Sequence, residues 1–217
     1  MAKEVLNAQR QHWEKNFSER PEMFGAEPSF SALRAAEVFH KEGRSKLLEL
    51  GPGQGRDTIF LAQSGFQIQV LDYCESGIEA ITNKAAQLSL SQSIVAKCHD
   101  ICQPLPFDAE TFDGCYSHML YCMALTTPEL EFLSKEIWRV LKRGGLNVYT
   151  ARHTGDPHYG TGTHRGEEMY EVGGFIVHFF SKQKVEHLAK GYEIVSLDEF
   201  EEGRLPRKLF LVVLRKQ

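Results

Sequence analysis

Three glycines on alternate positions, Gly51, Gly53 and Gly55, follow the apolar run Leu47, Leu48 and Leu50 in the stretch K-L-L-E-L-G-P-G-Q-G-R-D at 46–57. Glycine alone tolerates positive φ freely and leaves room beside the backbone, so such a turn lets the main chain lie against a ligand. Glu49 stands just before the turn, and Asp72 lies 21 residues after Gly51, closing the next alternating apolar run. A carboxylate in that place can accept both hydroxyls of a ribose. Further along, His99-Asp100, Ser117-His118 and Arg152-His153 each close an apolar stretch. An imidazole there has the proton affinity for acid–base chemistry near neutrality, which makes His118 the first candidate base and His153 the second.

The turn is G-x-G-x-G, with Arg56 and Asp57 where a dinucleotide-binding turn has its third glycine. No G-K-[ST] follows, which excludes a phosphate-cradling P-loop. His153, His158 and His164 crowd one polar segment, but their spacings match no common metal site. Cys98-x-x-x-Cys102 encloses His99 without a second pair to complete a tetrahedral set. Five cysteines in a chain with no export signal are expected to be buried free thiols, and no metal is expected.

The elements that must position these residues follow from periodicity. Amphipathic helices are expected over 3–17, with Val5, Leu6, Trp13 and Phe17 apolar, and over 30–42. The first strand is followed by a helix at 58–63, a strand at 67–72 and a helix capped by Ser76. Strands follow at 94–97 and 112–116, then a helix opened by Thr127-Pro128 and broken by Gly144-Gly145, and a fifth strand at 146–151. A helix at 181–190 precedes two strands at 193–200 and 208–214. Their connection is too short for a helical crossover, so they should pair antiparallel. Alternating strands and helices imply a doubly wound, mostly parallel sheet, with ligands outside the carboxyl ends of its strands. The segment 152–178 is long, polar and glycine-rich, and is expected to be a substrate lid over that edge.

With 217 residues, the chain suits one domain: a helical cap or lid (1–43), a core (44–151), a lid (152–180) and a C-terminal part (181–217). A net charge of -4 argues against nucleic acid as partner. No apolar run reaches membrane-spanning length, and the first residues lack a signal-peptide core, so the expected compartment is the cytoplasm.

The motif E-L-G-P-G-Q-G at 49–55, Asp72, Asp100-Ile101, L-P-F-D-A-E-T-F-D-G-C-Y-S-H at 105–118 and E-I-W-R-V-L-K-R-G-G-L at 136–146 resemble the class I S-adenosylmethionine-dependent methyltransferases. H-W-E-K-N-F at 12–17 is similar to the aromatic opening of that class's small-molecule members. Phe200–Phe210, F-E-E-G-x-L-P-R-K-L-F, is similar to enzymes related to the tellurite-resistance and thiopurine types. The resemblance implies a Rossmann-like seven-stranded sheet with the last strand antiparallel, and S-adenosyl-L-methionine as cofactor. Trp13, Glu49, Gly51, Gly53, Gly55, Asp72, Tyr73, Asp100, Ile101 and Ser117 are the implied cofactor contacts. Phe17, Tyr121, Arg152, His158 and Tyr159 are the expected acceptor contacts. Ser117-His118-Met119-Leu120 replaces the [DN]-P-P-[YF] clamp of enzymes that methylate amino groups of bases, which again counts against nucleic acid. A small-molecule acceptor and a monomer or homodimer are expected. A non-catalytic cofactor-binding module and a nicotinamide-dependent oxidoreductase remain as alternatives.

Overall fold

The computed structural model describes residues 3–203 and 207–217; the side chain of Leu6 and residues 204–206 fall outside the description. Seven strands form one sheet: β1 (Lys46–Leu50), β2 (Gln67–Asp72), β3 (Ile94–Cys98), β4 (Phe112–Ser117), β5 (Leu141–Arg152), β9 (Tyr192–Glu202) and β10 (Arg207–Lys216). Their order is β3-β2-β1-β4-β5-β10-β9. β1 pairs in parallel with both β2 and β4, so the winding reverses between β1 and β4 and opens a crevice there. β10 runs antiparallel to β9, as their short connection required, and is inserted antiparallel beside β5, as the family resemblance implied.

Helices cover both faces: α1 (Lys3–Glu19), α2 (Phe30–Lys41), α3 (Arg56–Gln63), α4 (Glu75–Gln87), α5 (Thr127–Val140) and α6 (Lys182–Leu188). Two apolar layers result. One packs α5 and α6 against Cys115, Tyr149, Phe210 and Val212; the other packs α2 to α4 against Leu47, Val70, Val148 and Val213. The alternation of Val148, Tyr149 and of Val212, Val213 between the layers is the period-two signature of strands buried on both faces.

Two local expectations are corrected. Ser76 does not cap α4; Cys74 occupies the N-cap without a side-chain bond, and the Glu14 carboxylate of α1 accepts the Ser76 N–H at 2.9 Å instead. A carboxylate at that helix start also complements its dipole. Gly144-Gly145 does not end α5 but lies within β5, which begins at Leu141. The segment expected to be a polar lid folds into a small antiparallel sheet of β6 (Thr163–His164), β7 (Met169–Val172) and β8 (Phe175–His178). Among the described residues no helix is long and apolar enough to cross a membrane.

Candidate active site

At the end of β1 the chain turns through Gly51, Gly53 and Gly55, all at positive φ. Two of these positions show why glycine is required. A Cβ on Gly51 would lie 2.8 Å from Leu120 Cδ1, and one on Gly55 would lie 2.4 Å from Ile81 Cγ1. The bare backbone is therefore used first to bring neighbouring protein elements close. Gly77 in α4 has the same role: its Cβ would meet the Gly53 carbonyl oxygen at 2.5 Å. Sequence reasoning passed over Gly77, although a glycine in the first turn of a helical pattern marks a close backbone approach.

Asp72 ends β2 beside this turn. Its Oδ2 accepts the Gly53 N–H at 3.1 Å and its Oδ1 accepts the Cys74 N–H at 2.9 Å. Each oxygen keeps a lone-pair direction for a further donor. Burial pushes the Asp72 carboxyl up to about 6, against the lowering effect of those two N–H groups. Glu49 is more deeply withdrawn: burial raises it to about 8, and its Oε2 has no partner.

Gln54, at the centre of the turn, fastens α1 over it. Its Nε2 donates to the Phe17 carbonyl at 3.0 Å and the Arg20 carbonyl at 2.9 Å, and its Oε1 accepts the Met23 N–H at 2.8 Å. Phe17 is thereby seated on Gly53, and Trp13 packs 5.4 Å from Phe17 and 4.7 Å from Phe175 of β8, between ring centroids. Gln9 closes the other side, donating to the Gly174 carbonyl at 2.9 Å and accepting the Ile176 N–H at 3.2 Å. One helix thus bridges the glycine turn and the small sheet.

These elements enclose a cavity of about 900 Å³. Trp13, Phe17, Glu49, Gly51, Gly53, Asp72 and Tyr73 line it on the turn side. Met119, Met123, Phe175 and Phe179, with His118, Arg152, His158 and Glu202, also line it. The remaining predicted residues lie elsewhere. Asp100 is exposed and accepts the Cys102 N–H, Ile101 is buried in the core, and Ser117 is fully buried with an unpartnered Oγ; none borders the cavity.

Two expected acceptor contacts, Tyr121 and Tyr159, and the second candidate base, His153, do not line the cavity. Tyr121 is stacked 3.9 Å from Tyr149 and accepts a hydrogen bond from Asn147 inside the core. Tyr159 turns outward, donating to Glu168 at 2.6 Å. His153 stacks 4.7 Å from Phe210 and accepts the Gly155 N–H through Nδ1, away from the cavity, and burial lowers its proton affinity. Among the described residues no group of three or more His, Cys, Asp or Glu side chains is placed to hold a metal ion.

His118 does reach the cavity, but both ring nitrogens are engaged. Nδ1 lies 2.8 Å from Ser31 Oγ and 2.9 Å from Thr150 Oγ1, and Nε2 lies 3.0 Å from Glu202 Oε2. Behind it, Ser31, Ser29 and Tyr116 lead to buried Asp57, which accepts the Ser29 hydroxyl at 2.7 Å and the Tyr116 hydroxyl at 2.9 Å. Burial alone would raise Asp57, yet the charges of His118 and Arg56 and the Ser29 donors hold it below the usual carboxylate range. Arg152 is buried over the Phe179 ring, bonded through Nε and Nη2 to Asp156 and through Nη2 to His158 Nδ1 at 3.0 Å.

Residues 47–145 match the family described as the methyltransferase domain. That match takes in just under half of the chain. The chain is 28% identical over 145 residues to 24-methylenesterol C-methyltransferase 2 of Arabidopsis thaliana, a match covering 63% of this chain and 38% of that protein. The chain therefore spans about two fifths of the length of the curated relatives it matches. Among solved structures, 1,6-didemethyltoxoflavin-N1-methyltransferase of Burkholderia thailandensis, with bound 1,6-didemethyltoxoflavin and S-adenosylhomocysteine, superposes with a TM-score of 0.78 at 13% identity, covering 100% of this chain and 91% of that one. TehB from Haemophilus influenzae superposes with a TM-score of 0.69 at 18% identity, covering 94% and 67%. Similarity at these identities speaks to the methyltransferase fold.

Proposed function

We propose that the protein is an S-adenosylmethionine-dependent methyltransferase acting on a nucleophilic atom of a small molecule. The observation that carries this reading is the meeting of the 51–55 turn and the Asp72 carboxylate at one end of a cavity of about 900 Å³. Asp72 fits a ribose, since both oxygens are fixed by backbone donors and each has acceptor capacity left. Glu49 Oε2, buried without a partner, fits a donor group on the same ligand. Trp13 and Phe17 supply the apolar wall that α1 folds over it. The relatives named above for sterol and toxoflavin substrates support a small acceptor, and the net charge of -4 does not suit nucleic acid. The cytoplasm is the compartment this reading assigns.

Bound in this cavity, S-adenosylmethionine supplies an electrophilic methyl group on a sulfonium, transferred by in-line displacement. The protein's part is to align the acceptor and exclude water. Alignment supplies roughly 7–11 kcal/mol of such a barrier, and a general base about 3–5.5 kcal/mol. Positioning therefore dominates, which agrees with a wall rich in Met119, Met123, Phe175 and Phe179 and poor in free bases. Calorimetric titration of the folded chain with S-adenosylmethionine and S-adenosylhomocysteine tests the reading. Binding of both is expected; no heat from either rejects it.

A further inference from the structure

The acceptor half of the cavity holds one carboxylate that the catalytic reading of the sequence never considered. Glu202, the last residue of β9, is brought there by the β9–β10 hairpin and stands across from Arg207 in the strand register. Its Oε2 is bonded to His118 Nε2 at 3.0 Å, and no partner within the described residues engages its Oε1. Three groups act on its charge, His118 from the end of β4 and Arg56 and Asp57 from α3, and Arg207 of β10 lines the same cavity. The Arg207 guanidinium makes no ion pair with it among the described residues.

The hydrogen-bond inventory assigns the roles. A carboxylate only accepts, so His118 Nε2 must carry the proton and donate it to Glu202. Nδ1 lies within hydrogen-bond distance of the Thr150 and Ser31 hydroxyls, and Thr150 Oγ1 also accepts the Met119 N–H at 2.8 Å. The imidazole is therefore fixed in one orientation from three elements, α2, β4 and β5, with no nitrogen left for an acceptor molecule. The carboxylate it holds lines the cavity beside it.

Building on the proposed methyltransferase reading, we infer that Glu202 recognises the methyl acceptor by taking a hydrogen bond from its N–H or O–H group. The acceptor is then an amine or alcohol on an apolar body that rests against Met119, Met123 and Phe179. His118 is a positioning residue acting through Glu202. Burial opposes the charge on Glu202, but the His118 N–H and the nearby Arg56 hold its carboxyl below the usual range, so it stays an anion that can only accept hydrogen bonds.

The test uses the full chain loaded with S-adenosylhomocysteine and three probes of one shape, 2-phenylethylamine, 2-phenylethanol and phenylacetate, followed by ligand-observed NMR. The amine and the alcohol are expected to bind and the carboxylate to bind at least about tenfold more weakly, as loss of a charge-assisted hydrogen bond predicts. Glu202→Ala should erase that preference while S-adenosylhomocysteine binding persists. His118→Gln should keep the preference but move its acid limb to higher pH, which a merely structural histidine would not do. A preference for phenylacetate, a preference surviving in Glu202→Ala, or no binding by the amine or alcohol to loaded protein overturns the inference. Failure to bind S-adenosylhomocysteine overturns the methyltransferase reading instead, so the two failures are distinct.

Discussion

Asp72 offers the sharpest test of how the cavity holds a nucleoside. Its carboxyl moves from an ordinary 3.8 to about 6 because it is buried, a change corresponding to about 3 kcal/mol against the charged form. Only the ionised carboxylate has acceptor capacity for two ribose hydroxyls, because its outer lone pairs are already given to Gly53 and Cys74. Binding should therefore fall as pH drops through about 6, with roughly one-tenth of the protein competent at about pH 5, a loss of about 1.4 kcal/mol relative to neutral pH. Titrating S-adenosylhomocysteine calorimetrically at about pH 5 and pH 7 reads this directly, since its own α-amino and α-carboxyl groups keep their charges over that interval. Asp72→Asn should bind weakly and lose most of the pH dependence. A wild-type affinity flat over that range, or the same slope in Asp72→Asn, would refute the placement of the carboxylate on the ribose. The sign for stability is opposite: a folded-state value raised above the unfolded one means this group favours folding below about pH 4 and loses that contribution as pH rises through about 6.

Glu49 repeats the stability argument at higher pH. Its rise from 4.5 to about 8 predicts that the free protein loses stability progressively as pH rises from about 5 to about 8, and that Glu49→Gln flattens the fall in melting temperature over that interval. Gly77→Ala should improve helix propensity by roughly 1 kcal/mol, yet weaken S-adenosylhomocysteine binding about tenfold or more, because the new methyl meets the Gly53 carbonyl at 2.5 Å; unchanged affinity with unchanged circular dichroism would contradict this. Gln54→Ala removes three hydrogen bonds to the chain between Phe17 and Met23, worth about 3 kcal/mol together. Hydrogen exchange should accelerate in α1 by a large factor and stay slow in β1, and equal protection in both variants would show that the aromatic contacts alone hold the helix.

What the sequence disclosed and what it hid divide along a physical line. The succession of strands, the antiparallel pairing of the last two and the acid ending β2 were readable from local periodicity and connection length, whereas the insertion of the last strand was implied by the family resemblance. The burial of Tyr121 was not readable because it is decided by Tyr149 and Asn147 on β5, a strand distant in sequence that the sheet brings beside β4. The M-Y-E-V-G-G-F-I-V-H run did contain a readable hairpin signal, two alternating four-residue stretches around Gly173-Gly174. Its polar, glycine-rich surroundings concealed that signal. Glu202 is the extreme case. It follows Asp198, Glu199 and Glu201 in a stretch that reads as a solvated edge, and nothing nearby in sequence distinguishes it from them. Only the antiparallel return of β10 beside β5 lifts residue 202 to the carboxyl edge, where the imidazole of His118 is waiting 3.0 Å away. The cofactor end of such a fold is written into short local motifs because backbone turns make it. The acceptor end is assembled from side chains on β4, β5, β9 and α2, so its specificity becomes visible only once the sheet register is known.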